Sequence, residues 1–476
     1  MLILVPALLL SRWSRPRAAG LEQLMGSASL LQSFPATPRR PVPPLWSQRL
    51  GAGEASRLWQ RQRRIWWQLW ANQVEAAPFL VLEADRNELP GSLLPPQALR
   101  VGDLLVFAED ATARAQLAAS LRPLQRRSRD GLPRLCLQRL QSSQAVYWNA
   151  AALGVIAGQV APLLERVQVG CLSLVLEGRS LRWQGEAASG DARAGLPGPA
   201  GSSSATMASG QPASQLAVPE LPAGVPLPQD QLLELEGGSL DPLLAGLLER
   251  PMIRDSLALR YGLEGRQLEQ ARRSPFQLRL RPQSGGAFLA SLELQLQVGE
   301  SRARWNPVLE RIGAALQAQG LQSGAAAAAS PLPSATPLPG ASPLPVAPPP
   351  SGAARLPAAT PFSAAADASV WRRDDGVVVG GWQWVADRGR PSQLLFFLGP
   401  PPQAPQPINP ERPFRPAAGQ LWLRLRPDAL AALGLLPEGM PALLQRASQI
   451  WMEVEPLPGA AASSISRLKG RLQVTR

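Results

Sequence analysis

Two long low-complexity runs set the limits on what this chain can fold into. The first, 186–221, is rich in Ala, Gly, Ser and Pro; the second, 322–368, is dominated by Ala, Pro, Leu and Ser. Neither shows hydrophobic periodicity, so neither buries enough apolar surface to offset the entropy lost on ordering. Stretches such as Ser330-Pro331-Leu332-Pro333 predict a semi-rigid, polyproline-like spacer. Both runs are expected to be disordered linkers, and they hold 15 of the 51 prolines and 8 of the 41 glycines among the 476 residues. Three structured blocks remain, 45–185, 222–321 and 369–476, in line with the number of domains this length predicts.

Within the blocks the patterning is mixed. Leu104–Phe107 reads as a strand, and a helix is expected from Ala111 to Arg127 with Leu117, Leu121 and Leu124 on one face. Leu172, Leu174 and Leu176 alternate with polar or smaller residues, as do Leu292, Leu294, Leu296 and Val298, so both segments are expected to be strands with one face buried. A helix is predicted to open at Pro307, where a missing N–H costs little. In the last block, Val377–Val379, Leu394–Phe397, Leu421–Leu425, Ile450–Val454 and Ile465–Val474 read as strands, with a helical segment opening at Pro427-Asp428. The expected fold class is α+β: two or three related modules of antiparallel sheet flanked by helices.

An internal similarity links the first and last blocks. Residues 146–177 and 423–455 both run from a strand end through an Ala/Leu-rich helix and a break into Leu-Leu-x-Arg and a second strand. Leu163, Leu164 and Arg166 match Leu443, Leu444 and Arg446, and Gly102–Phe107 corresponds loosely to Ser392–Phe397. This predicts a duplicated module, with block 369–476 related to block 45–185 and the middle block a diverged relative. The segments Val101-Gly102-Asp103-Leu104-Leu105-Val106-Phe107, Tyr147–Leu153 and Leu425–Pro437 resemble a family of exported bacterial proteins, mainly cyanobacterial, known as domain of unknown function 3352. The resemblance covers 80–185 and, more weakly, 285–476. It implies an exported location and supplies no catalytic residues. Members carry an N-terminal export or anchor segment. Here Met1–Leu10 is apolar and is followed by Arg12, Arg15 and Arg17, so 1–20 reads as a truncated form of such a segment or as the hydrophobic start of a soluble chain.

Composition closes off most catalytic routes. The chain has no histidine, so a Ser–His–Asp or Cys–His nucleophile system is excluded. Two cysteines, Cys136 and Cys171, are too few for the common zinc sites. The single lysine, Lys469, follows no Gly-x-x-x-x-Gly motif, which excludes a phosphate loop, and its place in a terminal strand argues against a Ser–Lys dyad. No cofactor or metal is expected. Paired carboxylates are the remaining acid–base option, at Glu83/Asp85, Glu109/Asp110 and Asp374/Asp375; each pair is read as surface turn or strand-end residues, and Asp374-Asp375-Gly376 as a hairpin turn. Both cysteines lie in apolar runs and are read as buried thiols, with a disulfide as the alternative if the chain is exported. A genome rich in G and C accounts for arginine in place of lysine, yet the net charge of +13 still favours acidic partners.

The most unusual local feature runs from Arg57 to Trp70. Read as one helix, it places Trp59, Trp66 and Trp70 on a broad apolar face and Arg57, Arg61 and Arg64 opposite. Such a face packs on the first block's sheet, or it lies at a membrane interface with indoles at headgroup depth; nucleic-acid stacking is a third reading. Taken together, the sequence predicts a non-enzymatic, envelope-associated binding or structural protein, membrane-associated or periplasmic, facing an acidic membrane surface or envelope component. A cytoplasmic polyanion or nucleic-acid binder and a carboxylate-dependent hydrolase are the alternatives.

Overall fold

The structure is a computed structural model describing residues 17–71, 77–84, 95–121, 131–189, 226–248, 250–263, 265–299, 302–325, 367–385, 392–402, 408, 416–417, 419–436, 442–457 and 465–474. The apolar start and the greater part of both low-complexity runs, 190–221 and 326–366, lie outside the described residues.

The chain opens with α1 (Arg17–Ser27), β1 (Leu30–Phe34), α2 (Pro44–Leu50), α3 (Ala52–Arg61), β2 (Trp66–Trp70), β3 (Phe79–Glu83), β4 (Ala98–Val101) and β5 (Leu104–Phe107). It continues through α4 (Ala111–Ser120), α5 (Leu132–Ser142), β6 (Ala145–Trp148), α6 (Ala150–Ala157), a 3-10 segment (Gly158–Val167), β7 (Val169–Glu177) and β8 (Ser180–Ala188). Then come β9 (Leu233–Gly237), α7 (Asp241–Leu248), α8 (Pro251–Tyr261), α9 (Gly265–Arg273), β10 (Phe276–Pro282), β11 (Ala290–Gln297), α10 (Arg302–Gln317) and β12 (Gln322–Ala325). The last elements are β13 (Ala368–Arg372), β14 (Val378–Val385), β15 (Gln393–Leu398), β16 (Leu421–Leu425), α11 (Pro427–Ala432), α12 (Ala442–Gln445), β17 (Ala447–Pro456) and β18 (Ile465–Val474).

This is an α+β protein, but its units are not the blocks the sequence outlines. Residues 1–254 and 414–476 form one compact unit and 255–413 the other. The block 369–476 is therefore divided: β13, β14 and β15 join the middle residues, while β16, β17 and β18 join the first unit. The cause is strand pairing. β18 ladders onto β8, from Ile465 opposite Ala188 to Gln473 opposite Ser180, and β15 ladders onto β11. Those ladders also draw in the margins of the expected linkers, since Glu186–Ala188 complete β8, Gln322–Ala325 form β12 and Ala368 opens β13.

In the first unit the antiparallel pairings give the order β4-β5-β3-β2-β1-β6-β7-β8-β18-β17-β16-β9. The similar segments 146–177 and 423–455 take the same local plan. Each is strand, short helix, second helical segment, strand, and β6 pairs antiparallel to β7 as β16 does to β17. Asn149 starts α6 by accepting the N–H groups of Ala151 and Ala152, which satisfies donors the helix itself cannot use. On one side of the sheet, α1, α4 and α5 bury Leu21, Leu24, Leu117, Cys136 and Leu140 against Leu31, Tyr147 and Cys171. Around β1 and β2 the opposite side is covered by α2 and α3, where Trp46 and Trp59 meet Phe34 and Trp66. Glycine is required at one point of this ladder: a Cβ on Gly185 in β8 would collide with the carbonyl of Cys171 in β7.

The second unit has a sheet of order β12-β13-β14-β15-β11-β10, again antiparallel throughout. Trp305, Val308 and Leu309 of α10 are buried. The helix begins at Arg302, ahead of the expected start, and holds Pro307 within it. β11 keeps only part of its expected burial. Leu296 and the following Val298 are buried as expected, but Ser291, Glu293 and Gln295 are enclosed too, at 3%, 7% and 3% exposure, while Leu292 and Leu294 are only half-buried. Gln295 donates to the side chain of Gln393, which in turn holds the main chain of Ile408, so polar groups on this side are satisfied by each other. The alternation in β7 is also broken, because the strand runs out into solvent and leaves Val175 and Leu176 exposed.

Candidate functional site

The Arg57–Trp70 segment is not one helix. α3 ends at Arg61, and the chain re-enters the sheet as β2 at Trp66. Trp59 and Trp66 are both buried; Trp59 Nε1 donates to the carbonyl of Arg40, and Trp66 stacks on Phe34 at 4.5 Å between ring centroids. Trp70 is half-buried at the end of β2. The arginines lie outside: Arg57 pairs with Glu54, Arg64 with Glu83, and Arg61 is exposed. A continuous Trp face with arginines behind it therefore does not form, because aromatic and β-branched residues from Ile65 onward gain more from the ladder than from another helical turn.

The candidate pairs Glu109/Asp110 and Asp374/Asp375 lie at a helix start and a turn. Asp110 caps α4 by accepting the N–H of Ala113 at 2.7 Å, and Glu109 is an exposed neighbour of Arg49. Asp375 accepts the N–H of Val377 and pairs with Arg373 in the turn before β14. Asp85 lies outside the described residues.

Another part of the first unit gathers the polar chemistry. β18 is an inner strand, between β8 and β17, and its burial alternates strictly. Ser466, Leu468, Gly470 and Leu472 point into the packed side, and Arg467, Lys469 and Arg471 point to the other, with both arginines exposed. On the packed side a Cβ at Gly470 would strike the indole of Trp183, so glycine there makes room for the ring to lie across the strand. On the open side, register sets neighbours in rows. Ser173, Gln184, Lys469, Glu453 and Trp422 form one row; Val175, Arg182, Arg471, Trp451 and Arg424 form the next. A shallow hollow lies over β7, β8 and β18, with Ser173, Gln184 and Lys469 in its lining.

At one edge of this face, Glu453 and Glu455 stand two residues apart on β17 and so share a side. Gln420 Nε2 donates to both carboxyls, at 2.5 and 3.1 Å, and Trp422 Nε1 donates to Glu453 at 3.2 Å. Lys469 Nζ lies 3.3 Å from Glu455. Burial, reinforced by the neighbouring Glu455, pushes the pKa of Glu453 above its ordinary value. Burial also works to raise Glu455, but the hydrogen bond with Glu453 and the charge of Lys469 outweigh it, and its pKa lies below the ordinary value. Glycoside hydrolysis sets its carboxyls about 5–10 Å apart across a substrate; the oxygens of these two are instead engaged by Gln420, Trp422 and Lys469.

Sequence reading placed strands at Ile450–Val454 and Ile465–Val474 but did not select these residues. The signal was present in the alternation of Arg467, Lys469 and Arg471, and of Glu453 with Glu455. What it lacked was the pairing that sets them side by side.

Cys136 on α5 and Cys171 on β7 form a disulfide, with Cα atoms 5.4 Å apart and both residues fully buried. This corrects the reading as free thiols; apolar surroundings suit a thiol and a disulfide equally. Next to it, Arg139 of α5 makes a two-pronged contact with Glu186 of β8 and donates to Ser173. Among the described residues no group of three or more Cys, Asp or Glu side chains is placed to hold a metal ion, and no helix is long and apolar enough to cross a membrane.

No family model and no curated protein matches the chain. Two solved structures of TP0453, crystal forms IV and III, are similar to 51% of this chain and to 89% and 90% of their own, at 7% identity and a TM-score of 0.22. A likeness that low carries no argument.

Proposed function

We propose that this protein is a non-enzymatic component of the bacterial envelope, exported or membrane-attached, that works by binding through an open sheet face. The observation that carries this reading is the Cys136–Cys171 disulfide. Such bonds persist in oxidising compartments outside the cytosol and are rare within it. The resemblance to exported proteins of domain of unknown function 3352 points the same way. The mirrored strand order β6-β7-β8-β18-β17-β16 supports the duplicated origin that this reading includes.

For the hydrolase alternative, the oxygens of the neighbouring pair Glu453 and Glu455 are engaged by Gln420, Trp422 and Lys469. A membrane role for the Trp/Arg segment loses support with Trp59 and Trp66 in the core, so attachment would rest on other parts of the chain.

The test is thiol trapping at the moment of lysis in the native host, combined with fractionation and sedimentation with acidic liposomes. Unreactive, disulfide-bonded cysteines in an envelope fraction are expected. Reduced cysteines in a protein found wholly in the cytoplasm, without liposome affinity, would overturn the reading.

A further inference from the structure

We propose that α8 and the arginines beside its end form a docking surface for an acidic lipid bilayer, with the helix lying on the membrane. This deepens the envelope reading by naming the part of the chain that attaches, and it rests on that reading only for which membrane is met.

The argument begins with what α8 leaves in solvent. Ile253, Leu257 and Tyr261, spaced four apart along one side, are half-buried and hold the helix in place. No residue of α8 is fully buried. Met252 and Leu259 are 80% and 87% exposed, the two most exposed large apolar side chains among the described residues. Seven residues apart, they fall on one stripe about 10 Å long on the other side of the helix. A single exposed leucine is ordinary. Two apolar side chains in line, with small Ser256 between them, make a ridge that no described part of the chain covers.

Positive charge surrounds this ridge. Together α8, α9 and α10 carry eight arginines against Asp255, Glu269 and Glu310. Arg272 and Arg273 share Glu269, and Arg302 pairs with Asp367. Arg260, Arg266, Arg304 and Arg311 are exposed and have no ion-pair partner among the described residues. Three of these four stand at the Leu259 end. Arg260 follows Leu259 directly, and Arg266 lies in the first turn of α9. A Cβ at Gly262 would meet the side chain of Arg311, so that guanidinium lies across the end of α8. Arg304, seven residues before Arg311, continues the row along the same side of α10. Asp255 and Glu310 leave these arginines in surplus.

Charge alone fits any polyanion; the apolar ridge selects among them. Methionine and leucine gain by sinking below the headgroups of a bilayer while guanidinium groups stay at phosphate depth. A single-stranded nucleic acid would instead seek aromatic platforms for its bases, and Tyr261, the aromatic residue of α8, is on the packed side. A second copy of the chain fits poorly, because two side chains fall well short of the roughly 800 Å² that each partner of a stable pair buries.

The experiment uses the full chain and two kinds of vesicle, pure phosphatidylcholine and phosphatidylcholine mixed with phosphatidylglycerol, with sedimentation at fixed salt. Binding to the mixed vesicles is expected to be at least tenfold tighter. M252Q/L259Q should weaken it at least tenfold, and R260Q/R266Q/R311Q should weaken it as much and flatten its dependence on salt. L443Q and R373Q, which change exposed side chains elsewhere, should leave it unchanged. All these positions are exposed, and thermal unfolding checks that each variant keeps the fold. A second readout reports insertion itself. In L259C the new thiol takes a polarity-sensitive dye, since Cys136 and Cys171 are joined to each other. The dye's emission should shift to the blue on mixed vesicles and stay unmoved by single-stranded DNA. An unmoved dye on mixed vesicles, equal binding to neutral vesicles, or equal loss with L443Q would each overturn the proposal. Binding to mixed vesicles that M252Q/L259Q leaves intact would overturn it too, with the envelope reading still standing. Reduced cysteines in a cytoplasmic protein whose vesicle binding depends on Met252 and Leu259 would do the reverse.

Discussion

Removing the Cys136–Cys171 bridge should cost the first unit more than any single ion pair in it. The bond closes a loop of sequence separation 35. Restricting an unfolded chain by such a loop lowers its entropy by about 12.7 cal/mol/K, or about 3.8 kcal/mol at 25 °C. The double substitution Cys136→Ala with Cys171→Ala also deletes two buried sulfur atoms, at about 1 kcal/mol each by analogy with small core truncations. Reducing the wild type isolates the first effect, and the double variant measures both. The assay is urea unfolding of three samples: oxidised wild type, wild type unfolded and refolded in reductant, and the double variant. Two compact units permit two transitions, so the loss is read on the transition that moves. Because both cysteines are fully buried, reductant should act on the native protein no faster than the protein opens. A loss below about 1 kcal/mol in both reduced protein and double variant, with an unchanged slope, would refute the reasoning; the tether would then not limit the unfolded chain in the way the entropy argument requires.

Three further outcomes are expected. The folded pKa of Glu453 is raised, so its contribution to stability is full below the unfolded value of 4.5 and is lost as pH rises through the folded value. Glu455 is lowered and runs the other way, its contribution present above 4.5 and lost as pH falls through its folded value. Glu453→Gln removes the first of these, so the stability of the variant should rise relative to wild type as pH increases above 4.5; a parallel pH profile would show that folding does not raise the pKa of Glu453. Trp46→Ala should destabilise the first unit by about 3–5 kcal/mol, since the side chain is fully buried between Trp59 and Trp66. Trp46→Phe should cost much less in the same denaturation experiment, because the buried Nε1 has no hydrogen-bond partner among the described residues. Gly185→Ala should lower the melting temperature by several degrees, as its Cβ meets the rigid backbone carbonyl of Cys171; an unchanged melting temperature would mean the β7–β8 ladder gives way without cost.

How much of this was legible beforehand depends on the range of the interaction. The strands Leu104–Phe107, Leu421–Leu425 and Ile465–Val474 and the helix opening at Pro427 follow from patterns within a few residues, and they stand where those patterns put them. The segment Arg57–Trp70 shows the limit of that method. Its wheel fits a helix, yet Trp66 onward pairs with β1 and β3, and no window confined to the segment contains those partners. β11 shows another. Alternation tells that two faces differ, and leucine is the natural choice for the buried one; burial of Glu293 rests on Arg281 across the β10 ladder, and that of Gln295 on Gln393, far along the chain.

The residues by themselves determined that histidine chemistry, a phosphate loop and common zinc sites are out of reach, because chemistry depends on which side chains exist. They also determined where long runs carry no hydrophobic periodicity. Tertiary structure alone decided that Cys136 meets Cys171, that Gln420 reaches both Glu453 and Glu455 beside Lys469, and that β18 lies against β8. The physical reason is common to all three. Each depends on a ladder or packing contact between residues distant in sequence, and such contacts form only when the whole sheet finds its register.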